Sequence, residues 1–148
     1  DAVELTKGAY VLADMGDEEP DLILMASGSE VDLILRAATN LAAEGINLRV
    51  VSFPSWELFE RQDQAYRDQV LPPRIKHCLA VEAGVTQGWH RWVGDHGRVI
   101  GIDHFGASAP GDTVMDQFGF TVANVIDEAL ALLKSDALSQ EDRNNGRK

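Results

Sequence analysis

The chain has 148 residues, 45% hydrophobic and 25% charged, a balance that fits one globular domain with a real core and excludes a disordered chain. Its 13 Lys and Arg stand against 24 Asp and Glu, and the resulting charge of −11 repels phosphate backbones and anionic lipid, so neither nucleic acid nor membrane is an expected partner. No apolar run approaches the roughly 20 residues of a membrane span. The single cysteine, Cys78, has no internal disulfide partner, which suits a reducing cytoplasm. Asp1 opens the chain without an initiator Met or a signal-type apolar stretch, and the expectation is a piece of something longer.

The first expected element is a short strand within Lys7–Asp14, built on Tyr10, Val11 and Leu12. It ends in a turn marked by Gly16, Pro20 and five acids between Asp14 and Asp21, a run that reads as a solvated loop. Leu22–Ala26 is continuously apolar, as a strand covered on both faces must be. The period then changes: Val31, Ile34, Leu35, Ala38, Leu41 and Ala42 make the apolar stripe of a helix, with Ser29 expected as its N-cap and Gly45 as its stop. A second strand-length run, Leu48–Phe53, precedes Pro54, and Ser55 and Asp63 are expected to cap two short helices that Pro72–Pro73 brings to an end. Cys78–Val81 is another buried strand, followed by a short helix with Trp89, Trp92 and Val93, then a strand over Val99–Ile102. Thr121 opens the final helix, with a stripe of Val122, Val125, Ile126, Ala129 and Leu133 and with Phe120 stapled onto Val125.

This alternation predicts an α/β fold: a doubly wound, mostly parallel sheet of about five strands with helices on both faces, its first strand antiparallel at an edge. Residues 1–8 are expected as a linker remnant, 9–135 as the domain, and 136–148 as a disordered tail with almost no apolar content.

In such a sheet the ligand crevice lies beyond the carboxyl ends of the strands. Ser27, Gly28, Ser29, Ser55, Glu82, Asp103 and His104 all fall there, and hydroxyls beside helix N-termini make a candidate crevice for a small anion or sugar. Capping and turn formation account for the same residues equally well. Dinucleotide, P-loop and nucleophile-elbow motifs do not occur, and the four histidines lack the spacing of a helical zinc site, so no catalytic, cofactor or metal residue is assigned. Trp89 and Trp92, three apart on one helix, suit core or interface packing better than base stacking on so acidic a chain.

Several long runs, taken together, resemble the C-terminal domain of the transketolase family. They are PDLILMASGSEV from Pro20, RVVSFPSWELFERQDQAYRDQVLP from Arg49, VEAGVTQGWHRWVG from Val81, and GIDHFGASAPGDTVMDQFGFT from Gly101, in the family's order. The resemblance covers roughly Tyr10–Lys134. It implies a parent enzyme, homodimeric and built from three α/β domains. That parent moves a two-carbon ketol group between sugar phosphates with thiamine diphosphate and Mg²⁺, as in the pentose phosphate pathway. In the family those cofactors are held by the N-terminal and middle domains, through a Gly-Asp-Gly motif and an activating Glu. Here Gly-Asp occurs at Gly16-Asp17, Gly94-Asp95 and Gly111-Asp112, and Gly follows none of them.

The resemblance therefore implies a structural and assembly domain without cofactors of its own, inactive alone, whose partners are the other two domains of the same chain. Trp56, Phe59, Trp89, Trp92, Phe105 and Pro110 are its candidate interdomain or dimer surface. A stand-alone anion- or sugar-phosphate-binding module, or the same domain of another thiamine-dependent enzyme, are the alternatives.

Overall fold

Along a strand, successive side chains point to opposite faces, so Leu22, Leu24 and Ala26 face one way and Ile23 and Met25 the other. All five are fully buried in the computed structural model, which describes residues 6–83, 88–101 and 120–145. Such a strand sits at the centre of a sheet with a layer on each side. The elements, in chain order, are β1 (Tyr10–Met15), β2 (Leu22–Ala26), α1 (Glu30–Ala43), β3 (Leu48–Ser52), α2 (Trp56–Glu60), α3 (Gln64–Val70), β4 (Cys78–Glu82), α4 (His90–Val93), β5 (Arg98–Gly101) and α5 (Val122–Asn145).

The sheet order is β1-β3-β2-β4-β5. β3, β2, β4 and β5 run parallel, and β1 pairs antiparallel with β3 at the edge, with Tyr10 opposite Ser52 and Met15 opposite Leu48. This is the expected mixed α/β sheet. The chain order reverses beside β2, whose neighbours are β3 on one side and β4 on the other. That reversal is the switch point at which doubly wound sheets open a crevice.

The two layers differ in chemistry. One is aliphatic: Leu22, Leu24, Leu48, Val50, Leu79 and Val81 face α1 and α5, whose Ile34, Leu41, Val125 and Leu132 are buried against them. Leu132 joins the buried face of α5 beyond the stripe expected from the sequence. The other layer is aromatic: Ile23, Met25, Val51 and Ala80 lie under Phe53, Phe59 and Trp89. Phe53 contacts Phe59, Trp89 and Trp92 with ring centroids 5.1, 5.4 and 5.0 Å apart, edge-on or tilted as ring quadrupoles favour.

Most expected caps are made. The Ser55 Oγ accepts from the Leu58 N–H at 3.3 Å, the Asp63 Oδ1 from the Tyr66 N–H at 2.8 Å, and the Thr121 Oγ1 from the Asn124 N–H at 3.1 Å. Ser29 departs from expectation. Its backbone is already helical (φ −67°, ψ −22°), and a cap needs extended geometry to turn its oxygen onto the first-turn amides, so the hydroxyl donates to Glu30 Oε1 instead. At the far end, α5 continues to Asn145, through most of the segment expected as a disordered tail. Ala137, Leu138, Gln140, Glu141 and Arg143 are good helix formers, half of residues 136–145, and they favour extension of a helix already begun.

Candidate functional site

Parallel register decides which loops meet. Ala26 lies beside Ser52 and Val81, and Glu82 beside Gly101, so the carboxyl ends of the four parallel strands are level. Ser27–Ser29, Phe53–Ser55 and Glu82 are thereby brought to one edge, as expected. Asp103, His104, Phe105 and Pro110 lie outside the described residues, as does Gly84 after β4.

Several of the described polar groups at this edge hold loops in place. The Phe53 N–H donates to the Ala26 carbonyl at 2.8 Å, tying two of the strand ends together. Ser55 is held by its cap, and its own N–H donates to the Gly8 carbonyl at 2.9 Å. Glu82 Oε2 accepts from the Trp89 indole N–H at 3.0 Å. Ser29 is exposed and turned to Glu30. The first turns of α1 and α2 carry Glu30, Asp32 and Glu57, so their helix dipoles are already met by carboxylates of the chain itself. Among the described residues, an anion approaching this edge meets the carboxylates of Glu30, Asp32 and Glu57.

Four of the candidate surface aromatics are described. Phe59 and Trp89 are 1% exposed and belong to the core, which corrects their assignment to a surface. A four-residue helix shows no period, so the spacing of Trp89 and Trp92 does not say which ring turns inward. Trp56 and Trp92 are half-buried at the rim of the same layer, where Trp56 packs edge-on against Trp89 at 5.2 Å.

Sequence reasoning missed an anchor at the start of the domain. Gly8, placed in the linker, is buried with φ +86°, and a Cβ there would lie 2.3 Å from the Phe59 nitrogen and 2.4 Å from the Ser55 carbonyl oxygen. The Tyr66 hydroxyl donates to the Ala9 carbonyl at 2.8 Å, and the Lys7 ammonium sits 4.6 Å over the Tyr66 ring. The only signal in the sequence was the glycine itself. Arg49 makes a second brace. It bridges Asp14 of β1 through both carboxylate oxygens (2.7 and 3.1 Å) and donates to the Gln69 and Val70 carbonyls at the end of α3.

The thiol of Cys78 is 5% exposed, donates to the Ile75 carbonyl at 3.6 Å and is pushed up to about 11 by burial, the opposite of an activated nucleophile. A cavity of about 530 Å³ lies at the other, amino end of the sheet, between Pro20, Gly45, Lys76 and Leu133.

The chain matches the family model described as the transketolase-like TK C-terminal domain over residues 8–121. It is 50% identical over 127 residues to a transketolase of Geobacillus stearothermophilus, covering 86% of this chain and 19% of that protein. With a transketolase of Halalkalibacterium halodurans it shares 50% identity over 131 residues, 88% of this chain and 20% of the relative. Among solved structures it superposes on the transketolase of Leishmania mexicana with a TM-score of 0.80 and 37% identity, over 90% of this chain and 19% of that one. On the Pichia stipitis transketolase complexed with sedoheptulose 7-phosphate the TM-score is 0.78 at 32% identity, over 88% and 18%. The chain thus spans about a fifth of the length of these relatives. With the family model matched over most of the chain and the fold shared, it belongs to the transketolase C-terminal domain family.

Proposed function

We propose that this chain is the structural and assembly domain of a transketolase, a transferase whose full-length form moves a two-carbon ketol group from a ketose phosphate to an aldose phosphate. The observation that carries this reading is the family match over residues 8–121, joined to relatives five times as long. In that parent the domain packs against the middle domain and contributes to the dimer, and Trp56 and Trp92 are the described aromatics placed to serve such a contact.

The parent's thiamine diphosphate and Mg²⁺ belong to its other domains. Of the three Gly-Asp pairs, the loop at Gly16-Asp17 does not fit a metal diphosphate. The space beside Gly16 is filled by Asn47, whose Oδ1 lies 2.0 Å from where a Cβ would stand and accepts from the Glu18 N–H at 3.3 Å. Asp17 and Glu18 lie exposed beside it and repel a diphosphate. The isolated chain is therefore read as non-catalytic.

The test is complementation. The chain alone, given both sugar phosphates, thiamine diphosphate and Mg²⁺, is expected to show no ketol transfer. Added to a separately produced polypeptide bearing the other two domains, it is expected to raise activity in proportion to complex formed. Turnover by the chain alone would contradict the non-catalytic reading. Full activity of the other two domains, with no rise on addition, would contradict the assembly role.

A further inference from the structure

Arginines on an acidic chain find carboxylates readily, and Arg36, Arg49, Arg74, Arg91 and Arg98 each do so. Arg61 has none but is exposed, so water satisfies it. Arg67, on α3, is different. It is half-buried, its guanidinium makes one side-chain hydrogen bond, from Nη2 to Gln64 Oε1 at 3.0 Å, and its Nε is buried with no acceptor. A guanidinium carries five N–H donors, and leaving a buried one of them unpaired is unfavourable.

The same Arg67 lines a cavity of about 190 Å³ between α3 and α4, together with Arg91, Trp92, Phe59, Gln64 and Asp68. Arg91 lies over the Trp92 ring at 4.9 Å and pairs with Glu60. Asp68 Oδ1 is engaged by the Gln64 amide at 2.7 Å. Two guanidiniums thus line one small cavity with an indole on its wall, and one of them has no ion-pair partner among the described residues. Planar forked donors of this kind match the oxygens of a phosphate or a carboxylate and discriminate against a spherical halide.

We propose that this cavity is an oxyanion site, taking a phosphate or carboxylate group between Arg67 and Arg91. It is separate from the strand-end edge. Asp68 lines the same cavity and its carboxylate opposes the ligand's charge, which weakens binding.

The test uses the full chain with ¹⁵N-labelled tryptophan, the Trp92 indole signal being assigned with W92F. Inorganic phosphate is titrated at constant ionic strength, with acetate and chloride as parallel arms. The expected result is a saturating shift of the Trp92 signal with phosphate or acetate and none with chloride. The stronger of the two active arms tells which oxyanion the site prefers. R67Q and R91Q are each expected to weaken binding at least tenfold while circular dichroism stays unchanged. A shift that never saturates, or that chloride reproduces, overturns the proposal. So does unaltered affinity in a folded R67Q, and if R67Q does not fold, unaltered affinity in R91Q has the same force.

Discussion

Gly8 and Gly45 share nearly the same φ, +86° and +91°, but of the two only Gly8 has close neighbours. A Cβ on Gly45 meets nothing within 4 Å, whereas on Gly8 it would lie 2.3 and 2.4 Å from backbone atoms of Phe59 and Ser55. Each Gly→Ala change carries the same left-handed penalty, about 1–2 kcal/mol, and the same loss of unfolded-chain freedom. Subtracting one from the other isolates the steric part. Backbone atoms cannot rotate aside as a side-chain tip does, so the overlap must be relieved by moving the entry segment off α2. That movement strains the 2.9 Å hydrogen bond from the Ser55 N–H to the Gly8 carbonyl. Overpacking of this kind costs about 1–3 kcal/mol. G8A is therefore expected to be about 2–3 kcal/mol less stable than G45A in urea unfolding, with equal m-values. Thermal midpoints should differ by roughly 10 °C. Agreement of the two variants within about 0.5 kcal/mol would refute the idea that the entry segment is clamped on this domain.

Three other outcomes follow from the same contacts. S55A is expected to lose about 1 kcal/mol of stability with its cap, while S29A, which has no cap to lose, stays within about 0.5 kcal/mol in the same denaturation assay. R49M breaks the bridge to Asp14 and two carbonyl bonds on a side chain 15% exposed, and should cost about 2 kcal/mol. D14N, on a half-exposed carboxylate, should cost under about 1 kcal/mol. For Cys78 the folded thiol titrates near 11 against an ordinary 9.0, so the folded state holds its proton more tightly. That contribution is complete below pH 9 and is lost as pH rises to 11, a fall of about 2–3 kcal/mol that C78A removes from the stability profile.

Much of the architecture was legible because burial leaves a pattern. Leu22–Ala26 has no polar residue to turn outward, and the stripe from Ile34 to Leu41 repeats at helical spacing. What escaped depends on contacts between distant residues. Gly8 reads as linker until Phe59 and Ser55 are seen against it. Ser29 has the chemistry of a cap, but its backbone torsions take that role away. Trp89 and Phe59 read as candidates for a face covered by other domains, and helices of four and five residues are too short for spacing to show which side faces in. At the strand ends, Glu82 reads as a polar group, but its bond to the Trp89 indole, seven residues on, comes only from tertiary packing.

The unequal chemistry of the two layers has a spectroscopic consequence. Trp56, Trp89 and Trp92 all lie on the aromatic side of the sheet, so tryptophan emission reports that side alone. The helices of the aliphatic side, α1 and α5, dominate the far-ultraviolet dichroism while carrying no tryptophan. Emission and dichroism therefore watch different halves of the molecule. If their melting curves coincide, the sheet couples the two halves into one cooperative unit; if they separate, the order of the midpoints names the half that opens first.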